Sequence, residues 1–133
     1  MRLPFLAGLI LWAATSGLAT AQQTDLEVAT STGAVLRGLD TINGALVDIN
    51  IAAGETVAFK RLEITLKECR YPVENPSSDA FAYLVIRDIR EDSPRFDGWM
   101  VASSPALSAL DHPRYDVWLL RCKIPFAETS SGD

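Results

Sequence analysis

The sequence predicts a mostly β protein, a small antiparallel β-sandwich or barrel with one short helix and one disulfide. Three observations lead there. Apolar residues recur at every second position in seven or so short runs between Val35 and Ile124, turn-forming residues separate those runs, and Cys69 and Cys122 form an even pair. Period-two alternation puts successive side chains on opposite faces of a strand, and many short strands without long helical stretches or repeats favour packed antiparallel sheets.

The first segment lies outside that fold. Met1-Arg2 is a short positive start, Leu3 to Leu18 is almost uninterruptedly apolar, and Ala19-Thr20-Ala21 is a small-x-small site. Together these read as a secretory signal peptide over residues 1–21, cleaved before Gln22. An uncleaved anchor fits less well, because roughly 20 apolar residues span a bilayer core and Thr15, Ser16 and Gly17 break this run. After cleavage no stable membrane span is expected. The leader holds no cysteine for acylation, which disfavours a lipoprotein. Residues 22–33 are polar and read as a flexible N-terminal arm, residues 34–126 as a single β domain, and residues 127–133 as a polar tail.

Within the domain, Val35 to Leu39 is the first strand. Asn43-Gly44 is the strongest hairpin signal in the chain, since both residues tolerate positive φ. Ala45 to Ile51 returns, with Ala45, Val47, Ile49 and Ile51 on one face. Ala53-Gly54 turns the chain again, Val57 and Phe59 point inward from the next strand, and Leu62, Ile64 and Leu66 do so from the one after it. Cys69 falls on the outward parity of that strand. Either a bulge shifts the register before it, or the strand ends near Lys67 and the cysteine sits in a loop. Tyr71-Pro72 to Ser77-Ser78 is loop-like by composition. Ala80 to Ile89 is apolar on both faces and reads as the central strand. Phe96 to Val101 is a further strand interrupted by Gly98. Ser104 and Pro105 read as the N-cap and first position of a short helix that Pro113 stops. Tyr115 to Ile124 closes the domain and carries Cys122.

The net charge is −5, and loss of Arg2 with the leader makes it −6. That sign, with basic residues scattered singly or in pairs, argues against nucleic-acid partners, which need clustered Lys and Arg. Two cysteines in an exported chain most simply pair as a disulfide. A redox pair or half of a metal site is the alternative, but there is no Cys-x-x-Cys spacing and His112 is the only histidine. No metal site and no cofactor is expected. Asp88, Glu91, Asp92 and Asp97 could offer oxygen ligands, yet their spacing matches no calcium loop, and Arg87, Arg90 and Arg95 between them suggest a self-compensating solvated edge.

The densest stretch runs from Gly98 to Trp118. Its string Trp99-Met100-Val101-Ala102-Ser103-Ser104-Pro105-Ala106-Leu107, with Val35-Leu36-Arg37-Gly38-Leu39-Asp40 and Cys122, resembles a family of exported alphaproteobacterial proteins known as a domain of unknown function. The resemblance covers about Ala34 to Cys122. It implies an envelope address in a Gram-negative cell and a Cys69–Cys122 pair, and it implies no activity. Near Lys60-Arg61 it implies a glycine turn, which this chain lacks.

Two functions compete on these residues, beside a third reading as a purely structural accessory subunit of an envelope assembly. A non-enzymatic periplasmic module would bind another envelope protein or peptidoglycan through a surface of Asp97 to Ser104 and Asp111 to Asp116, with Trp99 and Tyr115 as anchors and Asp97 and Asp116 beside them. Tyr83 belongs to the same aromatic set, whereas Trp118 reads as core. A small serine-type hydrolase would instead use Ser103 or Ser104 with His112 as base and Asp111 or Asp116 as its orienter. The Gly-x-Ser-x-Gly elbow is missing, Ser104 has a role as helix cap, and His112 before Pro113 reads as a turn residue. The binding module is therefore the expected function. The sequence leaves the oligomeric state open.

Overall fold

The computed structural model describes Pro4, residues 17–20 and residues 25–125, so most of the leader, Ala21 of its cleavage site and the whole polar tail fall outside the described residues. Among the described residues, eight strands form two antiparallel sheets: β1 (Val28–Ser31), β2 (Gly33–Asp40), β3 (Ala45–Ala52), β4 (Thr56–Phe59), β5 (Leu62–Pro72), β6 (Phe81–Asp88), β7 (Phe96–Val101) and β8 (Tyr115–Cys122). One sheet runs β1-β5-β6-β7, with β4 also on β5, and the other runs β3-β2-β8. The sheets stack as an open sandwich, so of the two expected forms the closed barrel is set aside.

The alternation read from the sequence is what fills the core. Leu62, Ile64 and Leu66 of β5, Ala82, Leu84 and Ile86 of β6 and Met100 of β7 are buried against Leu36, Ile51, Tyr115, Val117 and Leu119 of the opposing sheet. Gly38 of β2 makes room for Phe59 of β4, because a Cβ there would lie 2.8 Å from the Phe59 ring. The Asn43-Gly44 hairpin forms with Gly44 at φ 72°. Lys60 sits at φ 52°, in the left-handed region that favours glycine. The glycine turn implied by the family resemblance thus keeps its geometry with lysine in place.

Three expectations are corrected. The arm contains an edge strand from Val28, which pairs Ser31 with Cys69 and Val28 with Pro72. Polar Thr30 is compatible with a strand because it faces outward, while the Ser31 hydroxyl is buried beside the carbonyls of Gly33 and Lys123. This pairing also carries β5 through Tyr71 and Pro72, which composition had placed in a loop. The helix from Ser104 is a single 3-10 turn, Pro105–Leu107, without a side-chain cap bond and without a buried residue. Leu107 is exposed and only Leu110 beyond the turn is buried, so no apolar face exists to hold a longer helix.

Cys69 resolves as the bulge alternative. The β5–β6 register pairs Leu66 with Leu84 and then Glu68 with Tyr83, leaving Lys67 as the extra residue. The parity flips there. Cys69 enters the core and bonds Cys122, joining β5 of one sheet to β8 of the other. Among the described residues, no helix is long and apolar enough to cross a membrane.

Candidate functional site

The bulge has a second effect on the opposite side of the sheet. Past Lys67, the residues of β5 that face outward are Glu68 and Arg70, registered with Tyr83 and Phe81 of β6. Tyr83 is in turn registered with Trp99 of β7. The outer face of the larger sheet therefore gathers Arg70, Phe81, Tyr83 and Trp99 from three adjacent strands, and Val28 from β1 joins them in lining a shallow groove of about 280 Å³ with Arg70, Phe81 and Trp99.

This face is braced. The Tyr83 and Trp99 rings meet edge to face with centroids 5.5 Å apart. The Arg70 guanidinium lies 5.3 Å from the Trp99 ring centroid, and its Nη2 is 2.6 Å from the Glu68 carboxylate. The Tyr83 hydroxyl donates to Asp97 at 2.5 Å, and that hydrogen bond is the main cause that raises the Tyr83 pKa above its ordinary value. Trp99 nevertheless stays 38% exposed. A large aromatic side chain pinned by its neighbours and left half open is the anatomy of an anchor for a partner.

Of the residues expected to bind, Trp99 and Asp97 share this face, while the other two do not. Tyr115 is only 3% exposed and packs on Phe59 in the core. Its parity on β8 matches inward Val117 and Leu119, which was the available signal against its being an anchor. Asp116 faces outward on the smaller sheet, registered with Leu39, beside a different groove of about 410 Å³ lined by Pro105, Ala106, Ala109, Val117 and Trp118. Trp118 is half-buried there rather than enclosed in the core. Arg70, Phe81 and Val28 were not foreseen, because they meet Trp99 only through strand pairing.

The serine and histidine candidates are engaged elsewhere. The Ser103 hydroxyl donates to Asp79 at 2.7 Å, and the Ser103 amide donates to the same carboxylate at 3.0 Å. Burial pushes the Asp79 carboxyl up, but the bonds from Ser103 and the Ala80 amide outweigh it and hold its pKa below the ordinary value. Ser104 is exposed, and its amide donates to the Val101 carbonyl. His112 is buried, with Nε2 2.8 Å from Asp88 and Nδ1 accepting the Arg114 and Tyr115 amides at 3.0 and 3.1 Å. Two amide donors at Nδ1 place the proton of the neutral ring on Nε2. Neither nitrogen is then free to take a proton from a serine; the turn role stands, since Nδ1 accepts the amides two and three residues on, and Nε2 adds a cross-link from this segment to β6.

The acidic loop is mostly the compensated edge that was expected. Arg95 holds Glu91 at 2.6 Å and Arg87 holds Glu63 at 2.7 Å. Asp88 is the exception, being buried; the Arg90 amide and His112 hold its pKa below the ordinary value. Among the described residues, no group of three or more His, Cys, Asp or Glu side chains is placed to hold a metal ion.

Fold and surface together define a small disulfide-clamped β-sandwich with a braced aromatic outer face. The chain belongs to the family described as "Uncharacterized protein conserved in bacteria (DUF2155)", whose model matches residues 34–122. It is also similar to "Uncharacterized protein RP359" of Rickettsia prowazekii (strain Madrid E), at 30% identity over 87 residues that make up 63% of this chain and 56% of that relative. The matched stretch thus spans just over half of the relative's length. No solved structure matches the chain. The family resemblance carried by the Trp99 to Leu107 string is borne out.

Proposed function

We propose that this chain is a non-catalytic binding module of the cell envelope, exported by the leader at residues 1–21 and working in the periplasm, where it contacts another envelope protein or peptidoglycan. The observation that carries this reading is Trp99, held by Tyr83 and Arg70 on an outer sheet face and still open to solvent. The Cys69–Cys122 bond is consistent with an oxidising compartment. The competing serine-type hydrolase draws no support from this geometry, since Ser103 bonds Asp79 and both nitrogens of His112 are occupied.

In-cell crosslinking of tagged protein, compared with Trp99→Ala, tests the reading. A recovered adduct that disappears in the variant supports the module and its face. Recovery of the same adducts from both proteins removes Trp99 from the function, and an N-terminus other than Gln22 on protein from the periplasmic fraction removes the proposed cleavage.

A further inference from the structure

Resting on that reading, we infer that the groove beside Trp99 takes a peptidoglycan glycan unit, an N-acetylated sugar that carries a carboxylate. The groove does not follow a strand. Its lining residues Val28, Arg70, Phe81 and Trp99 come from β1, β5, β6 and β7 in spatial order, so it crosses four neighbouring strands. That is a span of roughly 14 Å at the spacing between paired strands. A peptide that augments a sheet lies along an edge and draws its affinity from main-chain hydrogen bonds. An occupant laid across the strands meets side chains only, and its groups must match theirs.

Three of the four lining residues are apolar and the fourth is a cation. A pyranose ring presents an apolar C–H face to aromatic carbon, and an acetamido methyl group suits the apolar wall of Val28 and Phe81. Arg70 supplies the charge complement. Its guanidinium is already fixed over Trp99, and Glu68 is its one ion-pair partner among the described residues, on Nη2. The rest of that planar fork is left for a carboxylate, which Arg recognises by paired N–H donors. Glu68 and Asp97 flank the face as hydroxyl acceptors. They also make it unsuitable for a polyanion, since one arginine between two carboxylates cannot track a phosphate backbone.

The test is an NMR titration of the disulfide-bonded exported protein with N-acetylmuramic acid and with uncharged N-acetylglucosamine, repeated on Arg70→Gln and Trp99→Ala. The expected result is that both sugars move the Trp99 indole N–H signal and that the muramyl ligand binds about tenfold tighter, the worth of one charge-assisted hydrogen-bond pair. Arg70→Gln should erase that advantage, so that the two sugars bind the variant alike. Trp99→Ala should abolish both while its spectrum stays dispersed. Equal affinity for the two sugars in the parent protein, or an undiminished muramyl preference in Arg70→Gln, overturns the inference. If neither sugar binds but the crosslinked adduct still depends on Trp99, the glycan inference falls and the binding module stands. If the adduct is also indifferent to Trp99→Ala, both fall.

Discussion

His112 ties the end of β6 to the segment entering β8, through Asp88 on one nitrogen and two backbone amides on the other. Removing the ring takes one partner from the buried Asp88 carboxylate, which keeps the Arg90 amide, and strands two amide donors. His112→Ala should therefore lose about 2 kcal/mol or more of stability, read as a shift in the urea midpoint, whereas a catalytic base could be removed with the fold intact. Acid should act on the partners. Asp88 has a folded pKa below its ordinary value, and so does Asp40, chiefly through its bond to Arg114. A lowered folded pKa contributes stability that is complete above the ordinary carboxylate range near ~4 and is lost as pH falls through the folded value. Melting temperature should be flat above that range and fall below it, and Asp88→Asn should melt lower but with a flatter acid limb. The sequence singled out His112 correctly as an unusual residue and assigned it the wrong neighbours. Asp88 precedes it by 24 positions, as Asp79 precedes Ser103, and nothing in local spacing marks which residues two distant strands will bring face to face.

Strands were more legible than side-chain partners, because burial follows parity and parity is written in the chain. Phe81 to Ile86 could be assigned two faces from the sequence alone. Val28-Ala29-Thr30-Ser31 could not be recognised as a strand, since its inward residues are Ala29 and Ser31 and carry no hydrophobic signal. Tyr115 was misjudged although its parity with Val117 and Leu119 was available, because aromatic type was weighed above position. The extra residue at Lys67 is the element on which both faces depend, sending Cys69 inward and Arg70 outward. Deleting Lys67 should remove the bulge and leave both assignments in place, because Glu68 then follows Leu66 directly and still meets Tyr83. Protein carrying that deletion should keep its disulfide, with no titratable thiol, and keep Arg70 beside Trp99. Two free thiols in the deletion protein would mean that the register is set elsewhere.

At the scale of the whole molecule, the core is a single layer between two sheets, and one covalent bond crosses it. The Cys69–Cys122 bond closes a loop with a sequence separation of 53. Loop-closure entropy for that length is worth roughly 4 kcal/mol, comparable to the stability of many small domains. Reduction should lower the melting temperature sharply, and a Cys69→Ala, Cys122→Ala double variant should match the reduced protein rather than the oxidised one. Trp99→Ala, at a half-open surface position, should leave melting nearly unchanged, so binding and stability can be separated.

The same bond also decides what happens when the chain is pulled. Tension applied along the backbone from either end passes from Cys69 to Cys122 through sulfur and bypasses everything between them. The protected stretch contains β6 and β7, and with them Phe81, Tyr83 and Trp99. Roughly 180 Å of contour length is thereby withheld from extension. A protein anchored at one end and loaded at the other could lose β1 to β4 and still present most of its aromatic face, a mechanical fuse with that face on the guarded side.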